Sequence, residues 1–270
     1  MGYRINKFIN IIKNLIFVPA CAACKERLSP LPEKGNLTYN RACLCRSCSE
    51  KWERAKAQMC HNCGYVSAEC TCAPKYFFDR QTNIPSLCFY HPDSGDTQSN
   101  VIITLKRNRD VEIFDFLAAE LYPKLRKTID SMGLKGNDCI FTWIPRSRRA
   151  EAKSGFDQGK IIAARTAKLF GAKTRPIFLR IGGSEQKKLD KNQRLKNARL
   201  SIKLNYSLHG FPHSTKETDV KEFIKGKNVI IIDDVLTSGA TLRQGVELLE
   251  SIGVENTVVA CIAKTEGKSK

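Results

Sequence analysis

The segment Val229 to Thr241, VIIIDDVLTSGAT, restricts the fold of this chain more than any other stretch. It sets four apolar residues, two acids and a loop of small residues at the start of a predicted helix. Asn228 to Asp233 is the most hydrophobic run in the chain, and a strand apolar on both faces is what the middle of a parallel sheet requires. Asp233 and Asp234 then fall at the carboxyl end of that strand, where open α/β sheets bind their ligands. Thr237, Ser238, Gly239, Ala240 and Thr241 form a tight turn whose backbone N–H groups, together with the N-terminus of the next helix, favour an anion. A dianionic phosphate in the turn and a ribose diol on the acids fit the arrangement. The competing reading is a strand–turn–helix unit with hydroxyl caps and no ligand, but two adjacent carboxylates ending a buried strand are costly without a partner. The loop is neither a Walker A loop, since it lacks Gly-Lys-Ser/Thr, nor a dinucleotide fingerprint, since the acids precede the turn.

The surrounding sequence repeats strand and helix. Cys139 to Ile144 reads as a buried strand closed by Pro145, Gln158 to Phe170 as a helix stopped by Gly171, and Thr174 to Arg180 as a second strand. After Asn228 to Asp233 come a helix over Thr241 to Ile252, closed by Gly253, and a last strand over Thr257 to Ala263. Upstream, Ser86 to Tyr90 reads as a short strand and His91 to Ser99 as a polar turn. Val101 to Met132 has helical periodicity, with Ile102, Ile103, Leu105, Phe114, Leu117, Leu121 and Leu125 as core positions. The long polar stretch Gly182 to Lys227 reads as loops plus a minor hairpin at Leu200 to Leu204. These repeats imply an α/β parallel sheet flanked by helices.

The other constraint is cysteine. Nine of the 12 lie between Cys21 and Cys72, in a stretch too poor in apolar runs to build a core of its own. Cys21-x-x-Cys24 is followed by Cys45-x-x-Cys48, and Cys60-x-x-Cys63 by Cys70-x-Cys72. Four thiolates in two knuckles bind Zn²⁺ tetrahedrally and fold a domain too small to fold alone; with every position filled by protein, the metal is structural. A rubredoxin-like iron and disulfides are the alternatives. The second set is tighter by one residue, Cys43 is spare, and His61 is a spacer inside a knuckle. Thiol pairs attached to an enzyme-like region indicate a reducing, cytoplasmic setting. At 270 residues the chain divides into an N-terminal helix (1–20), a double zinc ribbon (21–75) and the α/β domain (76–270). Residues 1–20 resemble a signal peptide, but Lys7, Asn10, Lys13 and Asn14 interrupt the apolar run well short of the roughly 18 residues that span a membrane. An amphipathic helix is the better reading, compatible with weak association at a membrane surface.

The formal net charge is +18. Between Phe141 and Leu200 sixteen Lys or Arg face four Asp or Glu, so +12 of it surrounds the phosphate turn. Such a run is either a solvated face or a surface for a polyanion.

VIIIDDVLTSGAT resembles the signature of type I phosphoribosyltransferases, which bind 5-phosphoribosyl-1-pyrophosphate (PRPP). By position the resemblance implies ribose on Asp233 and Asp234, the 5-phosphate on Thr237 to Thr241, and Mg²⁺ on the pyrophosphate. Over nearly the whole chain the sequence is similar to the ComF family, a small zinc ribbon joined to a type I phosphoribosyltransferase-like domain. NLIFVPACAAC resembles that family's opening, Leu105-Lys106 its helix, and Ile144-Pro145-Arg146-Ser147-Arg148-Arg149 its pyrophosphate loop. Ser154 to Gln158, SGFDQ, resembles its Arg-Gly-Phe-Asn-Gln, with Ser154 for arginine and Asp157 for asparagine. Gln186, Leu189, Arg194 and Asn197 match the spacing of its mobile loop. Loss of pyrophosphate from PRPP builds positive charge on the ribose and negative charge on the leaving group, which Arg146, Arg148, Arg149, Arg194 and Mg²⁺ would stabilise. Asp233, Asp234, Arg146 and Arg194 are thus the catalytic candidates. No residue marks itself as a general base, and His91, His209 and His213 lie in polar loops. The resemblance also implies competence-machinery partners and a role in DNA uptake or nucleotide metabolism. The alternative function is a non-catalytic accessory that holds single-stranded DNA on the ribbons and the basic face.

Overall fold

A computed structural model describes residues 20–28, 43–72, 84–92, 94–107, 111–180, 202–205 and 217–266, apart from the side chains of Arg148 and residues 217–219. The amphipathic helix expected at the N-terminus lies outside these residues. In chain order the elements are α1 (Arg46–Lys56), β1 (Cys88–Phe89), α2 (Thr97–Arg107), α3 (Val111–Ser131), β2 (Cys139–Trp143), α4 (Arg148–Ser154) and α5 (Gln158–Leu169). They continue with β3 (Lys173–Thr174), β4 (Phe178–Arg180), β5 (Ile202–Leu204), α6 (Glu217–Ile224), β6 (Asn228–Leu236), α7 (Ala240–Ile252) and β7 (Asn256–Lys264).

Five strands form a parallel sheet in the order β1-β7-β6-β2-β3. As the apolar run demands, β6 lies in the middle, with Val229, Ile230, Ile231 and Ile232 each at most 1% exposed. Its alternating side chains feed two cores. Ile230 and Ile232 join Phe141 and helices α2, α3 and α5 on one face, while Val229 and Ile231 join α6, α7, β4 and β5 on the other. The strand runs on through both acids to Leu236, further than its apolar composition indicates.

One expected strand is two. Thr174 to Arg180 splits because Pro176 has no N–H for a ladder; Arg175 N donates to Phe141 O at 2.8 Å before the chain turns away. The second piece, β4, leaves the main sheet and pairs antiparallel with β5. Of the stretch Leu200 to Leu204 expected as a minor hairpin, the described residues Ile202 to Leu204 supply one strand of a distant pair.

The cysteine-rich part shares a core with the sheet. Trp52 of α1 is 1% exposed and lies 5.8 Å from the Phe116 ring of α3. Its indole donates to Glu120 at 3.4 Å, and Lys56 pairs with the same carboxylate. Thr104 of α2 donates to Ala22 O at 2.6 Å, inside the first knuckle. Among the described residues no helix is long and apolar enough to cross a membrane.

Candidate functional site

The carboxyl end of β6 places the two acids in different surroundings. Asp234 is buried, and its Oδ2 accepts from Gln158 Nε2 at 2.8 Å, with Lys106 Nζ at 3.9 Å. Lys106 also lies over Tyr90, 5.5 Å from the ring centre. Asp233 is half-buried, and among the described residues no cation pairs with it. Burial, and then the charge of Asp234 beside it, push its carboxyl well above the ordinary carboxylate range. An acid left in this state suits a donor from outside, a hydroxyl or a cation.

Past Leu236 the turn opens to solvent at Thr237 and Ser238. Gly239 adopts φ 74°, the left-handed region that favours glycine, and as the N-cap of α7 it offers no side-chain acceptor, leaving only a long contact of 3.5 Å from Ala240 N to Ser238 Oγ. The first N–H groups of a thirteen-residue helix are thereby presented at the sheet edge beside the acids.

The neighbouring strand sends a second loop to the same edge, since Trp143 of β2 is in register with Ile232 of β6. Ser147 caps α4, its Oγ accepting from Ala150 N at 3.2 Å. Asp157 ties this loop to the start of α5. Its Oδ2 accepts from Trp143 Nε1 and from Arg146 N, each at 3.1 Å, and its Oδ1 accepts from Lys160 N at 3.3 Å to cap α5. Both carboxylate oxygens are used, whereas asparagine would offer one. Ser154, standing where the resemblance leads one to expect arginine, accepts from the Arg146 guanidinium at 3.0 Å. Gln158, one residue after the cap, links the loop to Asp234. The structure therefore brings together Arg146, Ser147, Asp233, Asp234 and the turn Thr237 to Thr241. Arg148 begins α4, its side chain outside the described residues, and Gln186, Leu189, Arg194 and Asn197 lie outside them altogether. Sequence reasoning gave Gln158 and Lys106 only as motif matches. The signal for both was positional: an amide directly after a capping acid, and a cation ending an apolar helix.

Both cysteine sets assemble. In Cys21, Cys24, Cys45 and Cys48, and again in Cys60, Cys63, Cys70 and Cys72, the sulfurs all lie within 4.8 Å of one another. Tetrahedral zinc with bonds of about 2.3 Å places sulfurs about 3.8 Å apart, and Cys24 and Cys45 are separated by 3.7 Å. The knuckles repeat each other. Cys21 N donates to Glu26 O as Cys60 N does to Tyr65 O, and Lys25 N to Cys21 O as Gly64 N does to Cys60 O. Lys25 (φ 67°) takes the left-handed position that Gly64 (φ 73°) takes in the second. Burial alone would raise the Cys21 thiol, but backbone N–H groups of Cys24, Cys45 and Ala23 outweigh it and bring it to about 7. All-sulfur donors at this spacing fit zinc. Cys43 is buried outside both sets, and His61 turns away to meet Glu266 at 2.8 Å.

A parallel α/β sheet that ends its central strand in two acids and an open phosphate-type turn defines the class. Within that class, residues 183–270 match the family model described as phosphoribosyl transferase domain. Over 49 residues the chain is 39% identical to a ribose-phosphate pyrophosphokinase of Pyrococcus furiosus, covering 18% of each protein. It is 35% identical over 66 residues to a hypoxanthine-guanine phosphoribosyltransferase of Lactococcus lactis, covering 23% of this chain and 36% of that one. It is 34% identical over 56 residues to the transcriptional regulator GfcR of Methanothrix thermoacetophila, covering 21% and 27%. The chain thus spans well under half the length of these relatives. Among solved structures, a hypoxanthine phosphoribosyltransferase of Staphylococcus aureus aligns with TM-score 0.35 at 16% identity, over 59% of this chain and 68% of that one.

Proposed function

We propose that this chain is a ComF-type phosphoribosyltransferase that binds PRPP at the carboxyl edge of β6. The observation that carries the reading is the adjacency of Asp233, Asp234 and the uncapped, solvent-open start of α7. The diol of the ribose donates to the acids, adding an outside donor to Asp233, whose Oδ1 accepts from Asp234 N at 2.8 Å. The 5-phosphate takes the N–H groups of the Thr237 to Thr241 turn. Arg146, its backbone N–H held by Asp157 and its guanidinium by Ser154, meets the pyrophosphate with Ser147 in this reading, and the resemblance alone assigns Arg148 and Arg194 to the same group. In transfer the bond from ribose C1 to the pyrophosphate oxygen breaks, the electron pair leaves with pyrophosphate, and the acceptor's lone pair closes on C1. Mg²⁺, when bound, neutralises charge on the departing pyrophosphate. In this reading the positive groups of the loop after β2 act where that charge develops.

Calorimetric titration of the zinc-loaded protein with PRPP and MgCl₂ tests the reading. Saturable binding is expected, and its loss in Asp233→Ala and Asp234→Ala; no binding to the unmutated protein overturns it. Exchange of labelled pyrophosphate into PRPP then separates enzyme from binder. A second reading rests on a separate observation: Arg149, Lys153, Lys160, Lys168 and Lys173 are all exposed, around α4 and α5. In it the chain binds PRPP without turnover and holds single-stranded DNA on this face during DNA uptake, with affinity that falls steeply as salt rises.

A further inference from the structure

Lys264, Thr265 and Glu266, at the end of β7 and just beyond it, serve two places in alternation. Lys264 is 2% exposed, and its ammonium donates to the carbonyl of Cys70 at 2.8 Å. Thr265 turns to the phosphate loop, its N donating to Leu236 O at 2.9 Å and its hydroxyl to Thr237 O at 3.3 Å. Glu266 turns back to His61. The outer two residues therefore grip the second cysteine knuckle, and the one between them holds the strand end from which the phosphate turn departs. Ser67 and Ser86 strengthen the same junction, each donating its hydroxyl to the other's carbonyl, at 3.4 and 3.0 Å.

Burying an ammonium costs several kcal/mol unless an opposite charge is close, and lysine is almost never fully buried unpaired. Among the described residues no carboxylate pairs with Lys264, and its hydrogen-bond acceptor is a neutral carbonyl. The remaining source of negative charge is the cluster to which that carbonyl belongs. Four thiolates around one divalent metal carry two net negative charges, and Cys70 is one of them. The first cluster differs in burial: its nearby lysine, Lys25, also donates to a knuckle carbonyl, Ala22 O at 3.0 Å, and to Thr104, but the residue is exposed to water.

We propose that Lys264 is the counter-ion of the metal-loaded second cluster, and that metal there holds the phosphate turn in order through Lys264, Thr265 and Glu266. The second half rests on the PRPP reading above; the first does not. With the metal in place the ammonium is compensated and the end of β7 is pinned. Without it the cluster loses its charge, Lys264 is left buried and unmatched, and the strand end with its grip on Leu236 and Thr237 gives way.

The test uses the full chain loaded with zinc. Lys264→Met keeps most of the stem and removes the charge. One of its two zinc ions should pass to a chromogenic chelator about 10- to 100-fold more readily, as for other residues that support a metal ligand, while the other behaves as in the unmutated protein. PRPP affinity should fall about tenfold. Glu266→Gln, which leaves the buried charge intact, should keep zinc and lose PRPP affinity more weakly. If Lys264→Met does not fold, linkage in the unmutated protein decides: PRPP must raise the affinity of one zinc site by the factor that zinc raises PRPP affinity. Unchanged zinc retention in Lys264→Met overturns the counter-ion, and weakened retention with unchanged PRPP affinity overturns the coupling. A protein that never binds PRPP, while Lys264→Met still loses zinc, refutes the function and leaves the counter-ion standing.

Discussion

Asp157 offers the sharpest test of how the loop after β2 is built. The residue is 6% exposed and takes three donors on two oxygens: Trp143 Nε1, Arg146 N and Lys160 N. Asp157→Asn can turn its carbonyl oxygen toward Trp143 and Arg146 and keep both. Its amide then faces the N–H of Lys160, so the cap of α5 is lost together with a negative charge at that helix start. Loss of a cap costs about 0.5–2 kcal/mol and of the dipole term about 0.3–1 kcal/mol, a total of about 1–3 kcal/mol. Asp157→Ala strands all three donors, two of them on the inner side of the loop. At about 1–3 kcal/mol for each of the two inner unsatisfied groups, with about 0.5–2 kcal/mol more for the lost cap, it should cost about 2.5–8 kcal/mol and loosen Arg146. Urea unfolding of the zinc-loaded variants, followed by the fluorescence of Trp52 and Trp143, measures both. The expected order is wild type, then asparagine, then alanine, with PRPP affinity falling in the same order. An asparagine variant as stable as the wild type would refute the argument that this loop needs a carboxylate.

Asp233→Asn should act oppositely on stability and binding. For an acid whose folded-state pKa is raised, the unfolded chain ionises first as pH climbs past the ordinary 3.8, so stability declines from there up through the folded value. The variant is spared this decline. At pH 7 it should melt higher than the wild type by a few degrees, about 1 kcal/mol being worth 2–4 °C in a chain of this size. The gap should close toward pH 4, while PRPP binding is lost; a melting series across pH in calorimetry checks both. For the cysteine clusters, elemental analysis should give two zinc ions per chain and a colourless protein, since zinc has no d–d or redox transitions. Cys48→Ser and Cys70→Ser should each reduce the count to one, and full chelation should redden the emission of Trp52 as its face opens.

The parts of the fold legible in the sequence are those governed by short-range pattern. The run at Val229 to Ile232 could only be a strand buried on both faces, and Gly239 and Gly253 bracket α7 as turn chemistry dictates. The cysteine spacing gave both clusters, residue for residue, as the structure assembles them. Long-range partnerships were not legible. Pro176 was visible, yet nothing local shows that the chain beyond it pairs with residues 202–204. The charges near the site were counted, but their pairing depends on packing: Lys106 reaches Asp234 from the end of α2, which packs on the sheet through Val101, Ile102 and Leu105 and is tied to the first knuckle through Thr104. Asp157 looked like a departure from a resemblance, and only the geometry shows three donors waiting for it. Likewise the composition of the cysteine-rich stretch gave no sign that the side chain of Trp52 joins the core beneath the sheet.

That shared core bears on how the chain is made. The indole of Trp52 finds its hydrogen-bond acceptor, Glu120, 68 residues further along. At synthesis rates of about 5–20 residues per second, the ribosome needs about 3–14 seconds to supply it. During that interval the cysteines have already emerged and can take up metal, while the apolar side of α1 has nothing to rest on. A chain that captures zinc early would keep this face ordered and paired with its own knuckle until α3 arrives. One that stays metal-free would trail an unstructured, thiol-rich and partly greasy segment through the most aggregation-prone moment of its life.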